Sequence, residues 1–159
     1  MRRWLPLSLA ATVTATVATV SLLFTPAFPA AADDIPPVAV EDFAYPNADQ
    51  IYADTGIRLI SGDGNILLTD CGPAGLIQVG ARGRADFCFS VRGDSGRVAM
   101  EVPQVIAIKG NAYTIVADMT VDGTETSFDV LPNTWTPVGE PADPPDHRDH
   151  TLVELRATK

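Results

Sequence analysis

Tyr113-Thr114-Ile115-Val116-Ala117-Asp118-Met119-Thr120-Val121-Asp122-Gly123-Thr124-Glu125-Thr126-Ser127-Phe128-Asp129-Val130 decides the fold. Tyr113, Ile115, Ala117, Met119 and Val121 alternate with Thr114, Asp118, Thr120 and Asp122. That period of two belongs to a strand with one buried and one wet face. Asp122-Gly123 tolerates the left-handed backbone of a tight hairpin turn and returns the chain into Thr126, Phe128 and Val130.

Outward from this hairpin the same pattern recurs. Val98, Met100 and Val102 alternate with Arg97, Ala99 and Glu101. Phe87, Phe89 and Val91 share one strand face, and Asp86, Cys88, Ser90 and Arg92 share the other. Further strands are predicted over 57–60, 65–70, 76–79, 105–108, 135–138 and 152–157, with Gly62-Asp63-Gly64 as a second tight hairpin. One short helix is predicted over 47–54, with Asn47 as its cap and an end near Gly56. Residues 139–150 form an acidic, Pro-rich loop. About 8–10 short strands with frequent turns and no helical crossovers predict an all-β antiparallel sandwich, jelly-roll or Ig-like. No internal repeat is visible.

The N-terminus reads as a secretory leader. Met1-Arg2-Arg3 is basic, residues 5–24 are apolar, and Ala30-Ala31-Ala32 supplies the small residues of a cleavage site before Asp33-Asp34. A retained membrane anchor is the rival reading, since about twenty apolar residues suffice to span. The cleavage site and the interspersed Thr and Ser residues favour removal after Ala32. Arg2-Arg3 leaves the general and twin-arginine export routes both open. Leu131-Pro132-Asn133-Thr134 begins like a wall-sorting signal, but Trp135 follows in place of Gly, so it reads as a turn. The expected organisation is a signal peptide over 1–32, an extended acidic and Pro-rich arm with a possible short helix over 33–56, and the sandwich over 57–159.

The chain has 159 residues and a net charge of −9. The leader carries Arg2 and Arg3 and no acid, so residues 33–159 hold nine basic against twenty acidic residues, a net charge of −11. That sign excludes a nucleic-acid partner, which needs cations to displace counterions from phosphate. It also disfavours anionic membrane surfaces after cleavage. An exported product outside the cell is the expectation, with its partner unknown: a glycan or an extracellular protein.

Cys71 and Cys88 are the only cysteines. An oxidising compartment favours their pairing, and closing a loop of about 18 residues is worth roughly 3 kcal/mol on the chain-entropy account. Cys88 lies opposite the apolar face of its strand. The bridge is therefore expected to clasp the outer face or edge of a sheet and not to pin the core.

Four other groups of residues invite a chemical reading. Gly93-Asp94-Ser95-Gly96 resembles the nucleophile loop of chymotrypsin-like serine proteases, which implies hydrolysis at Ser95. That family places its His and Asp upstream, whereas the only histidines here are His147 and His150. The nucleophile needs such a base within reach, so the string is read first as turn chemistry. Arg92-Gly93-Asp94 matches the integrin-binding tripeptide, and the 92–97 tip is a candidate surface for an inhibitor or interaction protein. Asp146, His147 and His150, with Asp143 and Asp149 alongside, carry the donor types for Zn²⁺ or Cu²⁺. No cofactor motif is present.

Trp135 is the fourth, either a core ring or a ring that stacks on sugars. Thr134-Trp135-Thr136-Pro137-Val138 followed by Leu152-Val153-Glu154-Leu155-Arg156 is similar to the closing segment of jelly-roll carbohydrate-binding modules, over the last quarter of the chain. The resemblance implies a jelly-roll fold rather than a ligand. The chain as a whole resembles small exported proteins of high-GC bacteria, which implies a compartment and no chemistry. The expected function is a non-catalytic binding or structural role at or beyond the envelope. A Ser95 hydrolase and a protein presenting the 92–97 tip are the alternatives.

Overall fold

A computed structural model describes residues 43–159. The stretches expected as a signal peptide over 1–32 and as the first part of the arm lie outside the described residues.

The chain is an all-β sandwich of two antiparallel sheets. The strands in chain order are β1 Phe43–Ala44, β2 Arg58–Gly62, β3 Ile66–Thr69, β4 Ile77–Ala81, β5 Phe87–Val91 and β6 Ser95–Pro103. They continue with β7 Val105–Lys109, β8 Thr114–Val121, β9 Thr124–Val130, β10 Trp135–Pro137 and β11 Thr151–Thr158. One sheet has the order β1-β2-β6-β11-β8-β9, the other β10-β7-β4-β5-β3. Every pairing is antiparallel.

The alternation sets which side of each strand is buried. Ile115, Ala117 and Met119 on β8, Val98, Met100 and Val102 on β6, and Leu152 and Leu155 on β11 all turn inward. They meet Ile77 and Val79 on β4, Phe89 on β5 and Ile108 on β7 from the opposite sheet. Asp122 (φ 50°) and Gly123 (φ 76°) make the expected β8–β9 turn in the left-handed region, which the Asp-Gly pair allows at small steric cost. Asp118 points outward as its register requires, yet it is buried. It accepts a hydrogen bond from Ser127 Oγ and an ion pair from Arg156 at 2.8 Å.

Gly62-Asp63-Gly64 does not close a hairpin. β2 pairs with β1 and β6, while β3 pairs with β5 in the other sheet. The turn is a crossing from sheet to sheet. The 92–97 turn is likewise no hairpin tip, because β5 and β6 also lie in different sheets. The two crossings form one corner. Asp63 Oδ2 accepts from Arg97 N at 3.0 Å, Asn65 Nδ2 donates to Ser95 O at 2.9 Å, and Arg92 N donates to Asn65 O at 2.9 Å. Gly-Asp-Gly reads as a hairpin from local signals alone; the corner bonds come from residues some thirty positions later.

The helix runs Ala48–Thr55 and ends at Gly56 in the left-handed region, as expected. Asn47, however, adopts φ 55° itself and its side chain makes no cap. The stretch expected as an arm with a short helix holds that helix, and residues 43–45 ahead of it are tied to the fold. β1 joins a sheet, and Tyr45 is buried with its hydroxyl accepting a hydrogen bond from Leu68 N at 2.7 Å. Burial raises the pKa of that phenol.

Candidate solvent-face site

Trp135 is not a core ring. It stands on the short edge strand β10 and is 42% exposed. Register places it in a row across the outside of the five-stranded sheet: Trp135 opposite Lys109, Lys109 opposite Gln78, Gln78 opposite Cys88, and Cys88 opposite Thr69. Residues directly opposite in antiparallel pairs share a face, so these side chains form one outward surface.

Gly80 lets the ring lie down. A Cβ built at Gly80 would stand 3.6 Å from Trp135 Cζ3 and 3.5 Å from Asp86 Oδ1. The indole therefore reaches across β7 toward β4, with the Asp86 carboxylate close to the same point. A glycine inside a strand commonly marks such a close approach. Trp135, Gln78, Lys109 and Asp86 thus bring a ring, an amide, a cation and a carboxylate to one open face. Among the described residues neither Lys109 nor Asp86 has a side-chain ion pair.

The disulfide lies at the far end of the same row. Cys71 and Cys88 are joined, with Cα atoms 5.2 Å apart. Cys88 is on the outer face as its alternation demands, and it is nonetheless buried while Cys71 is exposed. The segment after Cys71 is tied down where Asn111 Nδ2 donates to Gly75 O at 3.1 Å.

Ser95 and His150 lie at opposite ends of β11. Ser95 pairs with Thr158, at one end, and His150 immediately precedes Thr151 at the other. At about 3.3 Å per residue, the eight positions from His150 to Thr158 put the two roughly 26 Å apart along the strand. Arg92 and Asp94 share the corner with it. Asp94 is engaged by Lys159, 3.0 Å from its Oδ1, and Lys159 also lies over the Tyr113 ring. The Asp94 partner is the largest cause of the raised Lys159 pKa. Tyr113 in turn donates to Gly93 O at 2.8 Å.

The acidic loop is not a free linker. Arg82 bonds both Glu140 and Asp149, and Gln104 Nε2 donates to Asp149 Oδ2 at 2.8 Å. Arg148 Nε donates to Asp143 Oδ2 at 2.8 Å and a second guanidinium nitrogen to Asp143 Oδ1 at 2.9 Å. That fork holds the Asp143 carboxyl down to about 2. The Gln104 hydrogen bond, aided by Arg82, lowers Asp149 as well. His147 is exposed beside Glu140 O, whereas His150 is buried, edge-on to Phe128. Among the described residues no three His, Cys, Asp or Glu side chains converge to hold a metal ion, so His147, His150 and Asp146 are not brought into one ligand set. The arginines take up the carboxylates that the motif offered.

Compared with known proteins, the chain matches no family model and no curated protein. No helix among the described residues is long and apolar enough to cross a membrane.

Proposed function

We propose that the chain is an exported, non-catalytic binding module that uses the outer face of its five-stranded sheet to hold a glycan or envelope polymer. The observation that carries this reading is the exposed Trp135 ring lying over Gly80. An indole face covers the C–H face of a pyranose and excludes water from it, while neighbouring amide and charged groups fix its hydroxyls. Gln78, Lys109 and Asp86 are those groups here. The non-catalytic part is supported by the separation of Ser95 from His150, at opposite ends of β11.

Export is supported by the basic, apolar and small-residue leader and by the disulfide, which persists in oxidising compartments. An N-terminal read of the purified product is expected to begin at Asp33; retention of Met1 rejects export with cleavage. Binding is tested on a glycan array with the wild-type protein and Trp135→Ala. The expected result is retention of at least one polymer by wild type and its loss in the variant. Because Trp135 lies outside the core, the variant should keep its thermal midpoint. A blank array, or equal binding by Trp135→Ala, overturns the reading.

A further inference from the structure

Adjoining the Trp135 face, and sharing Asp86 with it, is an open groove between α1 and the β3 edge of the five-stranded sheet. Its floor is apolar: Ile51, Leu68 and Phe87 next to the disulfide. Its rim carries Asp70 and Asp86. Among the described residues neither carboxylate has a side-chain hydrogen bond or ion pair. Most other carboxylates with a cation in reach are already neutralised, as Glu154 and Asp143 show.

We propose that this groove is a docking site for a basic, apolar peptide segment in extended conformation. Three observations converge on that occupant. The open carboxylates call for a cation, and the net charge of the whole chain steers cations toward the molecule. The floor takes an apolar side chain between the charges, which a bare polycation lacks. The wall is an edge strand, and edge strands present alternate backbone groups for a further strand to pair with. Tyr45 already occupies the Leu68 amide, so pairing runs onward from the Leu68 carbonyl to Asp70. A Lys or Arg of the segment then sits between Asp70 and Asp86, and the next side chain on that face rests on Leu68 and Phe87.

The test uses the full chain and fluorescein-labelled heptapeptides. One alternates Lys and Leu, and the other alternates Lys and Ser with the same charge. Fluorescence anisotropy is expected to show binding of the Lys-Leu peptide, weakened about tenfold by Asp70→Asn with Asp86→Asn, as the loss of charge-assisted hydrogen bonds requires. Glu125→Gln with Asp129→Asn removes the same charge from β9 in the other sheet and should leave binding unchanged. Asp70→Asn alone should weaken peptide binding and leave glycan retention intact, which separates this site from the Trp135 face that shares Asp86. Absence of Lys-Leu binding overturns the proposal. So does equal binding of the Lys-Ser peptide, or equal weakening by both double variants, since either means diffuse attraction to an acidic surface.

Discussion

Asp143 and Arg148 show how single side chains decide the character of a segment. The fork between them favours the ionised carboxyl, so its folded pKa falls below the ordinary value of 3.8, to about 2. A depressed acid stabilises the fold above its unfolded pKa, and that contribution fades as pH falls from about 4 through about 2. In a carboxyl-detected NMR titration Asp143 is expected to titrate near 2, and to return toward 3.8 in Arg148→Gln. An unchanged midpoint in the variant would remove Arg148 as the cause. Asp118 makes the opposite demand, because it is buried on a face that alternation assigns to water. Arg156→Met leaves that carboxylate with Ser127 alone and is expected to cost about 1–3 kcal/mol in urea unfolding, the penalty of an under-satisfied buried acceptor. The Asp118 pairing was not legible in sequence: Arg156 is 38 positions away, and a spacing of that length specifies nothing.

Among the elements, the Asp122-Gly123 hairpin was readable because its signal is local. The positive-φ dipeptide and the two flanking alternations sit within eighteen residues. Gly62-Asp63-Gly64 has similar local chemistry and a different outcome, because β2 finds a longer partner in β6 than β3 offers. Gly62 is needed at that corner. A Cβ there would meet Arg97 O at 2.7 Å, and backbone cannot step aside as a side-chain end can. Gly62→Ala is expected to destabilise by about 1–3 kcal/mol, the usual range for overpacking. Gly72→Ala, with open space around it, is the control and should shift the midpoint far less. The disulfide is an element-scale clasp of the same kind. Cys71→Ala with Cys88→Ala is expected to lower stability by roughly 3 kcal/mol, with the fold retained, since the core lies on the opposite face of β5. Loss of the β-sheet circular dichroism signal in that variant would make the bridge a condition of folding.

At the scale of the molecule, a one-face apolar alternation repeated along most strands left two sheets packed face to face as the stable arrangement, since each must bury one side. Composition and the leader likewise set the expectation of an acidic, exported, disulfide-bonded product. The partners of each strand, and therefore every candidate site, were decided elsewhere. Trp135, Lys109, Gln78 and Asp86 come from four separate segments, and they meet because the five-stranded sheet has the order β10-β7-β4-β5-β3. Gly80, which the ring covers, lies one residue past the strand predicted over 76–79, so nothing local marked it. The groove beside α1 has the same origin, for it needs the β3 edge, the helix and the β4–β5 turn in one place. Alternation, turn dipeptides and charge act over a few residues, so the linear chain determines them. Strand order and register depend on which long-range pairings bury the most surface together, and only the folded structure settles that competition.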